Sequence, residues 1–176
     1  MIETERLILR PFTENDATDA FEYLHEPMVH CFACMKTETM EDAKKAVLDR
    51  AKDGEYFFAI TLKENGKVIG EIDAMPETHA PDEENAVLDT FSPCWMLNPE
   101  YHGKGYAKES MIALFDYLRT LGITNFSAGT AINNTPSVKL LTSLGFKLVE
   151  QEKVSFYKDA DGNDIVFDGG IFEYGC

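Results

Sequence analysis

The chain has 176 residues, 44% of them hydrophobic and 11% aromatic, which is enough to bury a core and too apolar for a disordered chain. Its formal net charge of −15 argues against nucleic acid as a partner, because phosphate binding needs an excess of Lys and Arg, and it is compatible with a cationic acceptor. No apolar run reaches the length of a membrane span, and the opening Met1 to Arg6 lacks the basic and apolar regions of a signal peptide, so a cytoplasmic setting with no membrane partner is expected.

Taken in chain order, Glu5 to Pro11 alternates as a first strand ended by proline. Thr13-Glu14-Asn15-Asp16 is a helix start, and Ala17, Ala20, Phe21 and Leu24 follow at helical spacing. Pro27 breaks that helix, and Met28 to Met35 forms a short second piece. Within it, Cys31 and Cys34 have redox or zinc spacing, but no second pair completes a metal site, so reduced thiols and no metal are expected. Thr39 or Glu38 caps a helix running to about Lys52 with Ala43, Val47 and Ala51 inward, closed by Gly54. Tyr56 to Leu62 and Lys67 to Met75 are strands joined by a Glu64-Asn65-Gly66 turn. Pro76 to Asn85 is a polar, acidic loop, and the next strand begins at about Leu88.

That strand leads into Trp95-Met96-Leu97-Asn98-Pro99-Glu100-Tyr101-His102-Gly103-Lys104-Gly105-Tyr106-Ala107-Lys108-Glu109, the stretch that organises the chain. Trp95, Met96 and Leu97 are a buried strand end, and Pro99 has no N–H to continue the ladder. Gly103 and Gly105 permit a sharp turn and close backbone approach, and Met111, Leu114, Phe115 and Leu118 then share one helical face. A glycine turn ahead of a helix aims unpartnered N–H groups at one point, where a phosphate or pyrophosphate is the natural guest, with Lys104 and Lys108 adding charge. Glu109 complements the start of its own helix. The Walker ending and the full Gly-x-Gly-x-x-Gly fingerprint are both absent. Thr124 to Thr130 is a short strand, Asn133-Asn134-Thr135-Pro136-Ser137 opens a helix with Val138, Leu141 and Leu144 inward, and Leu148 to Tyr157 with Ile165 to Tyr174 makes a final hairpin. The element order predicts one α/β (α+β) domain over 1–176, with a mostly antiparallel central sheet flanked by helices.

The run His102-Gly103-Lys104-Gly105-Tyr106-Ala107 resembles the acetyl-CoA motif of the GNAT acyltransferases, Gln/Arg-x-x-Gly-x-Gly/Ala, with His102 in place of the usual Gln or Arg. The opening Thr4-Glu5-Arg6-Leu7, with Leu9-Arg10-Pro11 and Asn15-Asp16, is similar to the branch of ribosomal-protein N-terminal acetyltransferases of RimJ/RimL type. Asn134-Thr135-Pro136-Ser137 with Leu144-Gly145-Phe146 matches the same branch, although a capped amphipathic helix alone accounts for those residue types. The resemblance implies the GNAT fold over the whole chain and acetyl transfer from acetyl-CoA to a primary amine: a protein N-terminus, amino acid, polyamine or amine antibiotic. It implies cofactor binding by Trp95, Met96, Leu97, His102, Gly103, Lys104, Gly105, Tyr106, Ala107, Lys108 and Asn134, with Ser137 near the sulfur as donor to the departing thiolate. Many relatives carry a tyrosine acid four residues before the Gly-Phe pair, where this chain has Leu141. Dimerisation is common in the family, so a homodimer is a further expectation.

For the base that deprotonates the amine, Glu71 and Asp73 lie two apart on a strand and share a face, either as a carboxylate raised by burial or as two groups facing water. His79 and Asp89 are further candidates. Two other functions compete: a non-catalytic module of the same fold binding acyl-CoA or a protein, and a dinucleotide-binding oxidoreductase. The oxidoreductase needs its glycine turn near the start of a parallel βαβ unit, and here the turn comes past mid-chain.

Overall fold

Strands β1 (Ile2–Glu3) and β2 (Leu7–Arg10) open the chain and pair antiparallel, with Leu7 and Leu9 pointing into the core. The computed structural model describes residues 1–27, 35–52, 56–77, 90–155, 158 and 162–174. Helices α1 (Ala17–Leu24) and α2 (Met40–Lys52) follow, then strands β3 (Phe57–Leu62), β4 (Val68–Glu77) and β5 (Thr90–Leu97). Helix α3 (Tyr106–Thr120), strand β6 (Asn125–Ala131), helix α4 (Thr135–Ser143), and strands β7 (Lys147–Val154) and β8 (Phe167–Tyr174) complete the order. The eight strands form one sheet in the order β1-β2-β3-β4-β5-β6-β8-β7. β5 and β6 run parallel, whereas β1 to β4 and the β6, β8, β7 set pair antiparallel, as the largely antiparallel expectation required.

The chain divides into two compact units, Met1–Ala74 with Cys94–Tyr117, and Met75–Pro93 with Leu118–Cys176. In the first, α1 starts behind a turn in which the Asp16 carboxylate accepts from the Thr13 backbone N–H (2.7 Å) and from Arg10 (2.7 and 2.8 Å). Thr39, not Glu38, caps α2: its Oγ1 accepts from the Asp42 N–H at 3.1 Å, and Asp42 Oδ2 accepts from the Thr39 N–H at 2.9 Å. α1 buries Ala17, Ala20 and Leu24, and also Tyr23, while Phe21 is only partly covered. α2 buries Ala43 and Val47 as expected, but its third inward residue is Arg50, and Ala51 is exposed. A cationic side chain displaces an alanine from the core face because β4 offers it a carboxylate.

α3 buries the expected Met111, Leu114 and Phe115. Each such side chain taken out of water contributes ~1.5–3 kcal/mol. The edge between β4 and β5 is tight: a Cβ on Gly70 would stand 2.3 Å from the Met96 carbonyl oxygen and 2.9 Å from Leu97 Cα. β4 continues through Pro76 to Glu77, past its expected end at Met75 and into what the sequence reads as loop.

In the second unit, Phe126, Leu141, Phe146 and Phe172 form the buried centre. Tyr174 packs its ring 6.1 Å from Phe126 and 5.6 Å from Phe146, and the Arg119 guanidinium lies over both Phe126 and Tyr174. β7 pairs with β8 as the expected hairpin, with Lys147 to Lys153 exposed. Among the described residues, no helix is long and apolar enough to cross a membrane. The helical piece at Met28, the Cys31 and Cys34 pair, Gly54, His79, Asp89, most of the acidic loop to Asn85 and the Asp159 to Asp161 turn lie outside the described residues.

Replacing Gly70 by Ala forces a methyl group against backbone atoms that cannot rotate away, and is expected to destabilise the fold by about 1–3 kcal/mol or more in urea unfolding. A midpoint equal to that of the parent would show that β4 and β5 are free to separate there.

Candidate active site

The turn after β5 is built by short-range bonds. The Asn98 N–H donates to the Ile69 carbonyl (2.8 Å), and Asn98 Oδ1 accepts from the Glu100 N–H (3.0 Å), turning Pro99–Tyr101 into one 3-10 turn. Met96 is buried, whereas Trp95 and Leu97, on the alternate face, are half-exposed. The expected buried strand end is therefore buried on one face only. His102 donates from Nε2 to the Leu97 carbonyl at 3.0 Å, since a carbonyl only accepts. The histidine that departs from the usual Gln or Arg thus closes the turn back onto the strand.

Gly103 and Gly105 have φ of 72° and 84°, left-handed conformations that a side chain disfavours, and a Cβ at Gly103 would meet nothing within 4 Å. Glycine is required there by backbone shape, and the space beside the turn is open. α3 begins at Tyr106, its Glu109 N–H bonded to the Gly105 carbonyl (3.0 Å), so the N–H groups ahead of Glu109 open the helix without partners inside it. Arg6 pins the turn from behind. Its guanidinium donates to the Lys104 carbonyl (3.0 Å), lies over the Tyr106 ring (4.4 Å) and donates from Nε to Glu109 Oε2 (2.7 Å). Glu109 Oε1 also accepts from Thr4 Oγ1 (2.5 Å) and from the Arg6 backbone N–H (2.9 Å). Partial burial alone would raise the Glu109 carboxyl, but the Thr4 and Arg6 donors outweigh it and hold it below the usual range. Glu109, read from the sequence as a complement to its own helix, is thus bonded to the chain opening. Lys104 rests its ammonium 4.9 Å from the Tyr101 ring centre, and Lys108 is exposed. Residues 102–108 thus gather backbone N–H groups, a helix start and two lysines, a donor set suited to an anion.

Glu71 and Asp73 lie on one face of β4 and are both buried, at 3% and 8% exposure, which removes the water-facing alternative. Glu71 is held by Arg50, which donates from Nε to Oε2 (2.9 Å) and from a terminal nitrogen to Oε1 (2.9 Å), and by the Tyr23 hydroxyl (3.1 Å to Oε2). Burial works against the Arg50 charge, but the Glu71 carboxylate holds the guanidinium above its ordinary value. Burial and the same carboxylate push the Tyr23 phenol well up, so it stays a donor. Asp73 has no such clamp. Burial first, then the Glu71 charge, push its carboxyl up to about 7, against smaller opposing effects of the Cys94 thiol bonded to it and of Arg50. Neither Tyr23 nor Arg50 was singled out from the sequence; the available signal was their spacing, Tyr23 three residues after Ala20 and Arg50 three after Val47, on the inward faces of α1 and α2.

In the second unit, Asn134 caps α4, its Oδ1 accepting from the Ser137 N–H at 3.4 Å. Ser137 is half-buried in the first turn, and Leu141, one turn further, is fully buried. The structure thus brings Trp95 to Lys108 and the Glu71–Asp73 pair together with Arg6, Arg50 and Tyr23 in the first unit, and places Asn134 and Ser137 at a helix start of the second.

A family model described as the Acetyltransferase (GNAT) domain matches residues 6–147. The chain is 31% identical over 150 residues to the uncharacterised N-acetyltransferase p20 of Bacillus licheniformis, covering 82% of this chain and 80% of that protein. Its fold is similar to the microcin C7 self-immunity acetyltransferase MccE, solved with acetyl-CoA and AMP (TM-score 0.75, 15% identity, covering 97% of this chain and 93% of that one). It is also similar to the ribosomal-protein-S5-alanine acetyltransferase of Vibrio fischeri (TM-score 0.68, 21% identity, covering 98% and 94%). This is an acetyltransferase of the GNAT family. The oxidoreductase and non-catalytic readings give way to that membership.

The buried Asp73 makes stability depend on pH with a definite sign. Between about pH 4 and 7 the folded carboxyl holds a proton that the unfolded chain has lost, so this group's contribution falls as pH rises through that window and is flat above it. Asp73→Asn removes the charge, and its stability relative to the parent is expected to grow across that window, reaching on the order of a few kcal/mol by pH 8. Urea unfolding at pH 5 and pH 8 reads this; a difference independent of pH would mean that Asp73 is not buried as a carboxylate.

Proposed function

We propose that the enzyme transfers an acetyl group from acetyl-CoA directly to a primary amine. The single observation carrying this is the turn at Gly103 to Lys108: positive-φ glycines, an open space where a Cβ on Gly103 would stand, and the start of α3. A pyrophosphate fits that donor set, and the complex of the similarly folded MccE with acetyl-CoA supports the choice of donor. The thioester supplies an activated acyl carbon. Residues 95–97 offer strand backbone to the donor's arm and an N–H to developing negative charge at the acyl oxygen. Asn134 and Ser137 are assigned to the donor's thiol end, Ser137 giving its hydroxyl hydrogen bond to the leaving sulfur.

An ammonium has no lone pair, so the acceptor must lose a proton before it attacks. Of the two β4 carboxylates, Asp73 suits this work: a base of about 7 is about half ready at neutral pH and still strong enough to take the proton. Glu71 already has its oxygens occupied by Arg50 and Tyr23. The acceptor is a small molecule or peptide amine, and the net charge of −15 suits a cation. The homodimer and the cytoplasmic setting remain parts of this proposal.

Gly105→Val forces a branched side chain into φ 84° and crowds the Arg6 guanidinium that holds the turn, whose Nη2 stands 3.4 Å from that Cβ position; the distorted turn is expected to weaken acetyl-CoA binding by about two orders of magnitude or more in calorimetric titration, with the fold retained. Unchanged affinity would remove the turn from the donor site. For catalysis, thiol release with a panel of primary amines is expected to show an acid limb near pH 7 in the parent. The rate should fall by about 10²–10⁴-fold in Asp73→Asn. An undiminished rate would assign the proton to another group.

A further inference from the structure

Two carboxylates two residues apart on one face of a strand meet different surroundings. Strand β3 puts Phe57 opposite Asp73 and Ala59 opposite Glu71, so no titratable group faces the pair from that side. From α2, Arg50 reaches both oxygens of Glu71, with its guanidinium 5.6 Å from the Phe57 ring and a further bond to the Ala46 carbonyl (3.2 Å). From α1, the Tyr23 hydroxyl completes a set of three donors on Glu71. From β5, the Cys94 thiol bonds to Asp73, and the charges of Glu71 and Arg50 act on it from either sign.

We propose that Glu71 is a positioning residue for proton transfer: Arg50 and Tyr23 fix its carboxylate beside Asp73, and that fixed charge makes Asp73 the seat of the exchangeable proton. Two carboxylates buried two residues apart on one face of a strand do not both ionise cheaply, and the one holding the cation keeps its charge. The proton therefore lodges on Asp73. This rests on the reading of Asp73 as the base. In that step the N–H bond of the acceptor ammonium breaks, its electron pair stays on nitrogen, and an O–H bond forms on Asp73. The Glu71 charge adds to burial in giving Asp73 its affinity for that proton at neutral pH. The device explains why a buried ion pair stands beside the base and why a tyrosine points its hydroxyl at the same carboxylate. Burial of Asp73 alone would require neither.

The test follows the Asp73 carboxyl carbon by ¹³C NMR across pH in the parent, in Glu71→Gln and in Arg50→Gln with Glu71→Gln. The parent midpoint is expected near 7. It should drop furthest toward the ordinary carboxylate range in Glu71→Gln, where the Arg50 charge faces Asp73 uncompensated. In the double variant it should lie between the two, because both charges are gone and burial remains. A single midpoint shared by the three proteins would overturn the proposal, leaving burial as the whole cause. Should Glu71→Gln fail to fold for want of a partner for Arg50, the double variant buries no unpaired charge and decides alone: the parent midpoint there overturns the proposal, and a lowered one supports it. The base reading fails separately. Full transfer rate in Asp73→Asn would end it without moving the order of midpoints.

Discussion

The glycine turn ahead of α3 depends on a contact made across most of the first unit, where Thr4 and Arg6 grip Glu109 in α3. A glycine turn has no shape of its own, because the freedom that lets Gly103 and Gly105 adopt positive φ also lets them leave it. Arg6 removes that freedom by occupying the Lys104 carbonyl between the two glycines while anchored to Glu109 one helical turn further. With that carbonyl facing Arg6, the peptide plane is fixed. The ion pair is too exposed to count for much in stability, Arg6 keeping 43% of its side-chain surface in water. Its value lies in the fork geometry of a guanidinium, which addresses a carboxylate and a carbonyl at once in a way that a lysine cannot.

Carboxylates in this fold divide by what stands next to them. Asp16 meets Arg10, Glu109 meets Arg6 and Glu71 meets Arg50, each through charge-assisted hydrogen bonds. Asp16 and Glu109 are held below the usual carboxylate range by these partners despite their partial burial. Asp73 meets a thiol and a neighbouring negative charge, and moves the other way. The same residue type therefore serves as an anchor or as a titrating group according to whether a cation was placed beside it. Buried ion pairs are weak stabilisers, since desolvation offsets most of their attraction, so the Arg50–Glu71 pair is better explained by what its charge does to Asp73 than by what it adds to the fold.

The fold was legible because its signals are local and periodic. Met111, Leu114 and Phe115 announce the buried face of α3, Asn65-Gly66 announces the hairpin, and Asn134 to Pro136 announces α4. The turn before α3 was legible for the same reason, its glycines lying close together in the chain. The environment of Asp73 was not. Tyr23, Arg50 and Glu71 lie on three different elements, and nothing in a one-dimensional pattern states that an arginine three residues after a buried valine will meet a carboxylate 21 positions later. Ala51 looked the better core residue on hydrophobicity, and the ion pair overrode that preference. Likewise, three large apolar residues in a row placed Trp95 and Leu97 in a buried strand end, but such a run does not say that only one face is covered.

Leu141 occupies the place where many relatives carry a tyrosine acid, and its surroundings explain what that exchange requires of the rest of the helix. Leu141 is fully buried, and its carbonyl accepts from the Phe146 N–H (3.1 Å) and the Leu144 N–H (3.0 Å) where α4 ends at Gly145. A leucine there is a packing residue. Ser137 is one turn earlier on the same helix, so it shares that face and sits toward its more open end. A hydroxyl of ordinary acidity does not protonate a thiolate outright, but it stabilises one by hydrogen bond, and a thiolate is a tolerable leaving group at neutral pH. On the proposed mechanism the chemical burden then falls at the other end of the reaction, on removing a proton from the acceptor. On that reading it is carried by Asp73 and the buried groups beside it, Tyr23, Arg50 and Glu71.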